Sequence, residues 1–172
     1  PLRRVFTLLP ECTIPFCPVA YALNILSLNK EWLSLLPPDT ILTPHLKEFE
    51  RLAGKTLNGF SRLEKQVEFS REHNCIILLK GANSSVTSPD GNVVFNSTGN
   101  PGMAKGGSGD VLTGIILSLL AQGYTPYNAA VMGVYLHGFA GDIAAGESCY
   151  ESIIASDIIN CIGKAFNKIR GL

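Results

Sequence analysis

Asp110 stands directly after Gly106-Gly107-Ser108-Gly109 and heads the apolar run VLTGIILSLLAQG. The surrounding stretch NPGMAKGGSGDVLTG holds five glycines and a single acid in fifteen residues. A helix that begins here would present unpaired N–H groups and the positive end of its dipole, which suits a phosphate. Glycines let the backbone approach that phosphate closely and permit positive φ. A carboxylate at the same place favours the dipole but repels the anion, so Asp110 needs a role of its own. Beside an anion hole, a carboxylate can take the proton of a hydroxyl as that hydroxyl attacks a phosphoryl group. Gly106, Gly107, Ser108 and Gly109 would meanwhile stabilise the charge growing on the phosphate. The pattern reads as phosphoryl-transfer chemistry; the plainer alternative is a glycine-rich loop with an ordinary first-turn Asp.

Two familiar phosphate motifs fail on spacing. Gly102 and Gly107 have the separation of a P-loop, but Ser108 occupies the lysine position. A dinucleotide fingerprint begun at Gly107 and Gly109 wants a third glycine where Leu112 sits. A second candidate is LLKGANSS, residues 78–85. There a strand ending in Lys80-Gly81 puts a cation and small polar residues at its carboxyl end, the edge where ligands of open α/β sheets bind. His45 falls in the first turn of an expected helix, where a neutral imidazole can donate to a ligand. His137, on a helix of small residues, reads as a packed core histidine, and His73 as a solvated helix end.

The elements that must carry these residues follow from periodicity and breakers. YALNILSLNKEWLSLL has helical spacing and stops at Pro37-Pro38, DTILT reads as a short buried strand, and PHLKEFERLAG as a helix capped by Thr43. SRLEKQVEFSREHN is a second amphipathic helix, and CIILLKG a strand apolar on both sides, as in a parallel sheet. Two short strands flank the turn Pro89-Asp90-Gly91. Three helices follow: DVLTGIILSLLAQG, the Thr-Pro-capped TPYNAAVMGVYLHGFAGDIAA, and SDIINCIGKAFNKIR with a Ser156 cap. The prolines at 10, 15 and 18 leave room for at most one short strand in the first twenty residues. Strands alternating with helices point to an α/β fold with a mostly parallel sheet in a single domain, residues 1–172.

Composition narrows the function classes. Fourteen basic residues balance fourteen acidic ones, so no overall field gathers nucleic acid or an anionic membrane. The five cysteines are odd in number and contain no C-x-x-C pair, which argues against a disulfide framework or a zinc site and suits a reducing cytoplasm. No apolar run approaches the ~20 residues that span a bilayer, and no signal-peptide layout opens the chain.

LTPHLKEFERLAG, LLKGANSSVTSPDG and NSTGNPGMAKGGSGDVLTGIILSLLAQG, in this order and spacing, resemble the NAD(P)H-hydrate dehydratases of the ribokinase-like superfamily. The resemblance runs from Ala22 to about Gly163 and rests on the specific pattern G-N-x-G-M-A-x-G-G-x-G-D-V-L-x-G. It implies a ribokinase-like three-layer α/β/α sandwich, of which this chain is the C-terminal portion, with residues 1–21 atypical. It implies that Asp110 activates the hydroxyl of hydrated NADH or NADPH (NAD(P)HX) for phosphorylation by ADP or ATP with Mg2+, before phosphate is eliminated. By the same matching, His45 and Asp110 bind the substrate, and Lys80, Gly81, Ala82, Asn83, Ser84 and Gly109 line the nucleotide site. Where the family carries D-x-D-A-L-N this chain has VAYALN, so Val19 and Tyr21 replace the two acids. Two other readings compete: a small-molecule kinase using the same Asp110, and a non-catalytic nucleotide-binding module. Apolar strands need cover on both faces, so a homo-oligomer is expected, with the small-residue helix around Gly133–Ala145 suited to close packing.

Overall fold

Thr40-Ile41-Leu42 and Cys75-Ile76-Ile77-Leu78-Leu79 lack polar alternation, as strands covered on both faces require. They form β1 (Thr40–Leu42) and β2 (Cys75–Leu79), and all eight residues are buried. The computed structural model describes residues 16–18 and 20–171. Val19, Cys12 and any strand in the first fifteen residues fall outside them. The chain forms two compact units, one built from residues up to 81 with 85–94, the other from 82–84 with 95–172.

In the first unit, α1 (Ala20–Leu28) and a 3-10 turn (Lys30–Leu35) precede β1. The helices α2 (Leu46–Ala53) and α3 (Gly59–Glu72) connect β1 to β2, and the two strands pair in parallel with Thr40 opposite Cys75 and Leu42 opposite Ile77. The five-residue connection after β2 is too short for a crossover. β3 (Ser85–Thr87) therefore returns antiparallel, with Leu79 opposite Ser85. The chain then turns at Pro89-Asp90-Gly91, where Gly91 has φ +84° and its N–H donates to the Ser88 carbonyl at 2.9 Å. The last strand, β4 (Val93–Phe95), completes the order β1-β2-β3-β4. Among the described residues the sheet is thus mixed, parallel only where helices make the crossover.

Leu23, Leu26, Leu42, Phe49, Phe69 and Ile77 form the core of this unit, with the Phe49 and Phe69 rings edge to face at 5.9 Å. Its polar counterpart is Gln66, fully buried on α3. Its amide nitrogen donates to the carbonyls of Ile77 (3.0 Å) and Ser85 (3.1 Å), while its oxygen accepts from the Ser85 hydroxyl at 2.7 Å. Gln66 therefore clamps β2 to β3 on both sides of the 80–84 loop.

The second unit contains a 3-10 turn (Pro101–Met103) and three helices, α4 (Ser108–Ala121), α5 (Pro126–Glu147) and α6 (Ala155–Arg170). Thr125 caps α5 from its hydroxyl and Pro126 occupies the first helical position, as the Thr-Pro pair predicts. The small residues of α5 are buried, among them Ala129, Ala130, Gly133, Ala140 and Gly141, and α5 packs on both α4 and α6. α6 begins two residues earlier than Ser156 capping requires, with Ile154 as its N-cap. Asp157 lies in its first turn and takes the Ile154 N–H at 2.9 Å, so the acid rather than the serine closes the end. No helix among the described residues is long and apolar enough to cross a membrane.

Candidate functional site

Gly107 adopts the left-handed conformation (φ 86°) at the N-cap of α4, so Ser108, Gly109 and Asp110 are its first three helical residues. The Gly107 carbonyl accepts from the N–H groups of Asp110 and Val111, both at 3.1 Å. The N–H groups of Gly106, Gly107 and Gly109 have no acceptor among the described residues. These are the donors an anion would take at a helix start, in the loop where sequence reasoning places the anion hole.

Asp110 itself is exposed. Three of the described helices carry an acid at the third position, and two of those acids are spent on their own helix end. Glu48 Oε2 accepts the His45 N–H at 2.8 Å and Asp157 Oδ2 accepts the Ile154 N–H. The Asp110 carboxylate makes no such bond, nor any ion pair, among the described residues. It is not an ordinary first-turn acid closing a capping box. An exposed carboxylate beside unused N–H donors can accept a proton from a hydroxyl while those donors take up negative charge.

Ser108 is buried, and its Oγ lies 3.2 Å from Nε2 of His137, itself only 9% exposed. The packed histidine expected on α5 is therefore also a partner of the glycine loop. The preceding turn is held by Asn100, whose Oδ1 accepts the Gly102 N–H at 3.1 Å. An open cleft of about 530 Å³ adjoins it, lined by Asn100, Asp142, Cys149, Tyr150 and Glu151 among others. Asn100, His137 and Asp142 were absent from the candidate site residues. Their signal lay in the polar positions of GNPG and HGFAGD, which an apolar reading of α5 passes over.

In the other unit, two residues singled out from separate segments meet. His45 and Lys80 are partners in a parallel bridge that prolongs β1 and β2, with the Lys80 N–H donating to the Pro44 carbonyl at 2.8 Å. This corrects the expected start of α2. The extended chain runs past Thr43 because Pro44 is engaged in the sheet, and His45, extended at φ −81° and ψ 171°, becomes the N-cap. Its Nδ1 accepts the Glu48 N–H at 3.3 Å, so the neutral ring carries its proton on Nε2, 3.5 Å from Glu48 Oε1.

Lys80 is half-buried, Gly81, Ala82 and Asn83 are exposed, and Ser84 is buried with its carbonyl accepting from the Asn96 N–H at 2.8 Å. Burial pushes the Cys17 thiol up to about 12, with the Lys80 charge pulling partly the other way. Tyr21 is exposed, and Asn24, which matches the family segment, takes the Arg51 guanidinium at 2.6 Å. His73 is the C-cap of α3, a helix end as expected, but it is only partly solvated: its ring meets Phe69 edge to face with centroids 4.4 Å apart, and its side chain is 18% exposed. Among the described residues no three His, Cys, Asp or Glu side chains gather as a metal site.

The sequence matches the NAD(P)H-hydrate dehydratase family over residues 12–164. It is similar to the bifunctional NAD(P)H-hydrate repair enzyme Nnr of Moorella thermoacetica, at 44% identity over 89% of this chain and 29% of that protein. It is also similar to the ADP-dependent (S)-NAD(P)H-hydrate dehydratase of Bacillus subtilis, at 38% identity over 73% of this chain and 48% of that one. The chain thus spans less than half the length of these relatives. Among solved structures, the Bacillus subtilis ADP/ATP-dependent NAD(P)H-hydrate dehydratase co-crystallised with ATP/Mg2+ aligns with a TM-score of 0.72 and 33% identity, over 77% of this chain and 49% of that one. A ribokinase-like superfamily protein from Enterococcus faecalis aligns with a TM-score of 0.78 and 26% identity, over 96% of this chain and 58% of that one. The fold is ribokinase-like, and the chain belongs to the NAD(P)H-hydrate dehydratase family.

Proposed function

We propose that this chain takes part in the nucleotide-dependent dehydration of hydrated NADH and NADPH. The observation that carries the reading is the Asp110 carboxylate, without a partner among the described residues at the third position of α4, beside N–H groups of Gly106, Gly107 and Gly109 that likewise have none there. Family membership supplies the substrate class. Asp110 accepts the proton of the hydrate hydroxyl as that oxygen bonds to the terminal phosphorus and the phosphorus–oxygen bond to the nucleotide breaks. The loop N–H groups neutralise charge on the transferring phosphoryl oxygens. The carbon–oxygen bond then breaks, phosphate leaves with the electron pair, and loss of a proton from the neighbouring carbon restores the double bond.

His45 contacts the hydrate, with the proton on its Nε2 available to donate. Lys80, Gly81, Ala82, Asn83, Ser84 and Gly109 bind ADP or ATP, the exposure of residues 81–83 leaving them accessible. Mg2+ would enter with the nucleotide and would neutralise charge on its phosphates during transfer. Both compact units belong to one ribokinase-like domain, a reading supported by the family match running through both. The thiols of Cys17, Cys75, Cys149 and Cys161 are free, which suits the cytoplasm. Exposed Leu57 and Phe60 support self-association.

The test is incubation of the chain with hydrated NADH and either ADP or ATP. Return of the reduced-nicotinamide absorbance, with nucleotide consumed in step, is expected. A phosphorylated hydrate that persists would make the protein a kinase, and no turnover with either nucleotide would leave a binding module.

A further inference from the structure

Four residues of α5 at positions i, i+1, i+4 and i+5 lie on one face of the helix and meet the segment that carries the glycine loop. His137 reaches Ser108 and Gly138 backs onto Thr98; Gly141 faces Met103, and Asp142 holds the start of the turn. The Asp142 contact is the most specific of these. One carboxylate oxygen accepts the Gly99 N–H and the other the Asn100 side-chain amide, both at 2.9 Å. Asn100 in turn accepts the Gly102 N–H on its own oxygen, closing the Pro101–Met103 turn. From that turn the chain passes directly to Gly106, with the Lys105 N–H bonded back to the Met103 carbonyl at 2.8 Å.

We infer that Asp142 is a positioning residue for the glycine loop, acting through Asn100. A carboxylate is the one common side chain that accepts two hydrogen bonds with no donor of its own, and charge strengthens both. The orientation of the Asn100 amide follows. Its nitrogen is drawn to Asp142, so its oxygen faces the turn and sets the path by which residues 103–109 enter α4. The inference deepens the proposed function, since it rests on reading that loop as the phosphate site.

The partners also define a test by exchange. Asn100→Asp keeps the acceptor for Gly102 but sets two carboxylates face to face. Asp142→Asn keeps an acceptor for Gly99 and removes the charge, and can set its amide nitrogen against that of Asn100. The double variant restores every bond, with the amide introduced at position 142 donating to the carboxylate introduced at position 100 and accepting from Gly99. ADP affinity of the 172-residue chain should fall about tenfold or more in the Asn100→Asp variant and less in Asp142→Asn. It should return to within about threefold of the parent in the double variant.

Amide hydrogen exchange at Lys105, Asp110 and Val111, whose N–H groups are bonded within the loop, should quicken without ligand in the single variants and recover in the double. That second measurement separates the two readings. A parent chain that ignores ADP overturns the nucleotide assignment and leaves positioning to be judged by exchange. Loop exchange and ADP affinity unchanged in a folded Asn100→Asp variant would overturn the inference, as would a double variant that folds without restoring either.

Discussion

The Ser108 hydroxyl lies 3.2 Å from the His137 Nε2, joining the first residue of α4 to the middle of α5. The contact binds the glycine loop to the most buried helix of its unit, and both side chains are within a tenth of full burial. A hydroxyl so engaged is turned away from solvent. The Ser108 hydroxyl is thus engaged with His137 and its N–H donates to the Lys105 carbonyl at 3.4 Å, so of the expected anion hole the N–H groups of Gly106, Gly107 and Gly109 are left over, and the carboxylate two residues on has no partner among the described residues.

Asp110→Asn should abolish hydrate turnover while leaving ADP binding close to that of the parent. The amide keeps the shape but cannot accept a proton, and loss of a positioned base costs about 10² to 10⁴ in rate. Rates of absorbance recovery, with ADP affinity measured on the same sample, check this. Activity within a few-fold of the parent would remove Asp110 from the proton transfer.

Gly138 and Gly163 should respond in opposite ways to alanine. A Cβ on Gly138 would sit 2.7 Å from the Thr98 carbonyl carbon and 2.8 Å from its oxygen, so backbone must move. That cost, about 1–3 kcal/mol, exceeds the ~1 kcal/mol that alanine gains inside a helix. Gly163 lies within α6 with nothing within 4 Å of the added carbon, so Gly163→Ala should stabilise by about 0.5–1 kcal/mol. Urea denaturation of both variants reads the two signs directly.

Thiol labelling should rank the described cysteines by exposure. Burial pushes Cys17 and Cys75 up to about 12 and raises Cys161 as well, Glu147 adding to the effect, whereas Cys149 is exposed. Only the thiolate reacts. Iodoacetamide on the folded chain at about pH 8 should modify Cys149 well before the other three, with peptide mass spectrometry reporting the order. Early modification of Cys75 would contradict its place at the start of the buried strand β2.

Acidification should weaken the first unit through His73. Burial against Phe69 lowers its folded pKa below the unfolded value of about 6.5, Glu72 pulling partly back. The neutral ring is therefore favoured by folding. Its contribution is fully present above pH ~6.5 and is lost as the pH falls through that value toward the lower folded pKa. Replacing His73 with Gln should flatten the pH dependence of the urea midpoint between about pH 5 and 7; an unchanged slope would sink the assignment.

Much of this protein was legible as a string of residues. The apolar runs that become β1 and β2, the Pro89-Asp90-Gly91 turn and the Thr-Pro start of α5 are set by local propensity and burial pattern, which act over a few neighbours. The glycine loop and its acid were readable too, because a helix N-terminus is a local device and G-N-x-G-M-A-x-G-G-x-G-D is distinctive enough to name a family. Tertiary structure decided what depends on partners distant in sequence. Pairing with Lys80 extended the strand through Pro44 and turned His45 from a first-turn residue into the cap of α2. Packing against Phe69 made His73 a half-sheltered ring. Above all, only the folded chain separates Asp110, whose carboxylate is unspent, from Glu48 and Asp157, whose identical helix positions are consumed by capping. Sequence supplies an acid at the same helical position three times among the described residues; which one is free follows the N-cap backbone, extended at His45 and Ile154 so that the N–H meets the acid, but left-handed at Gly107.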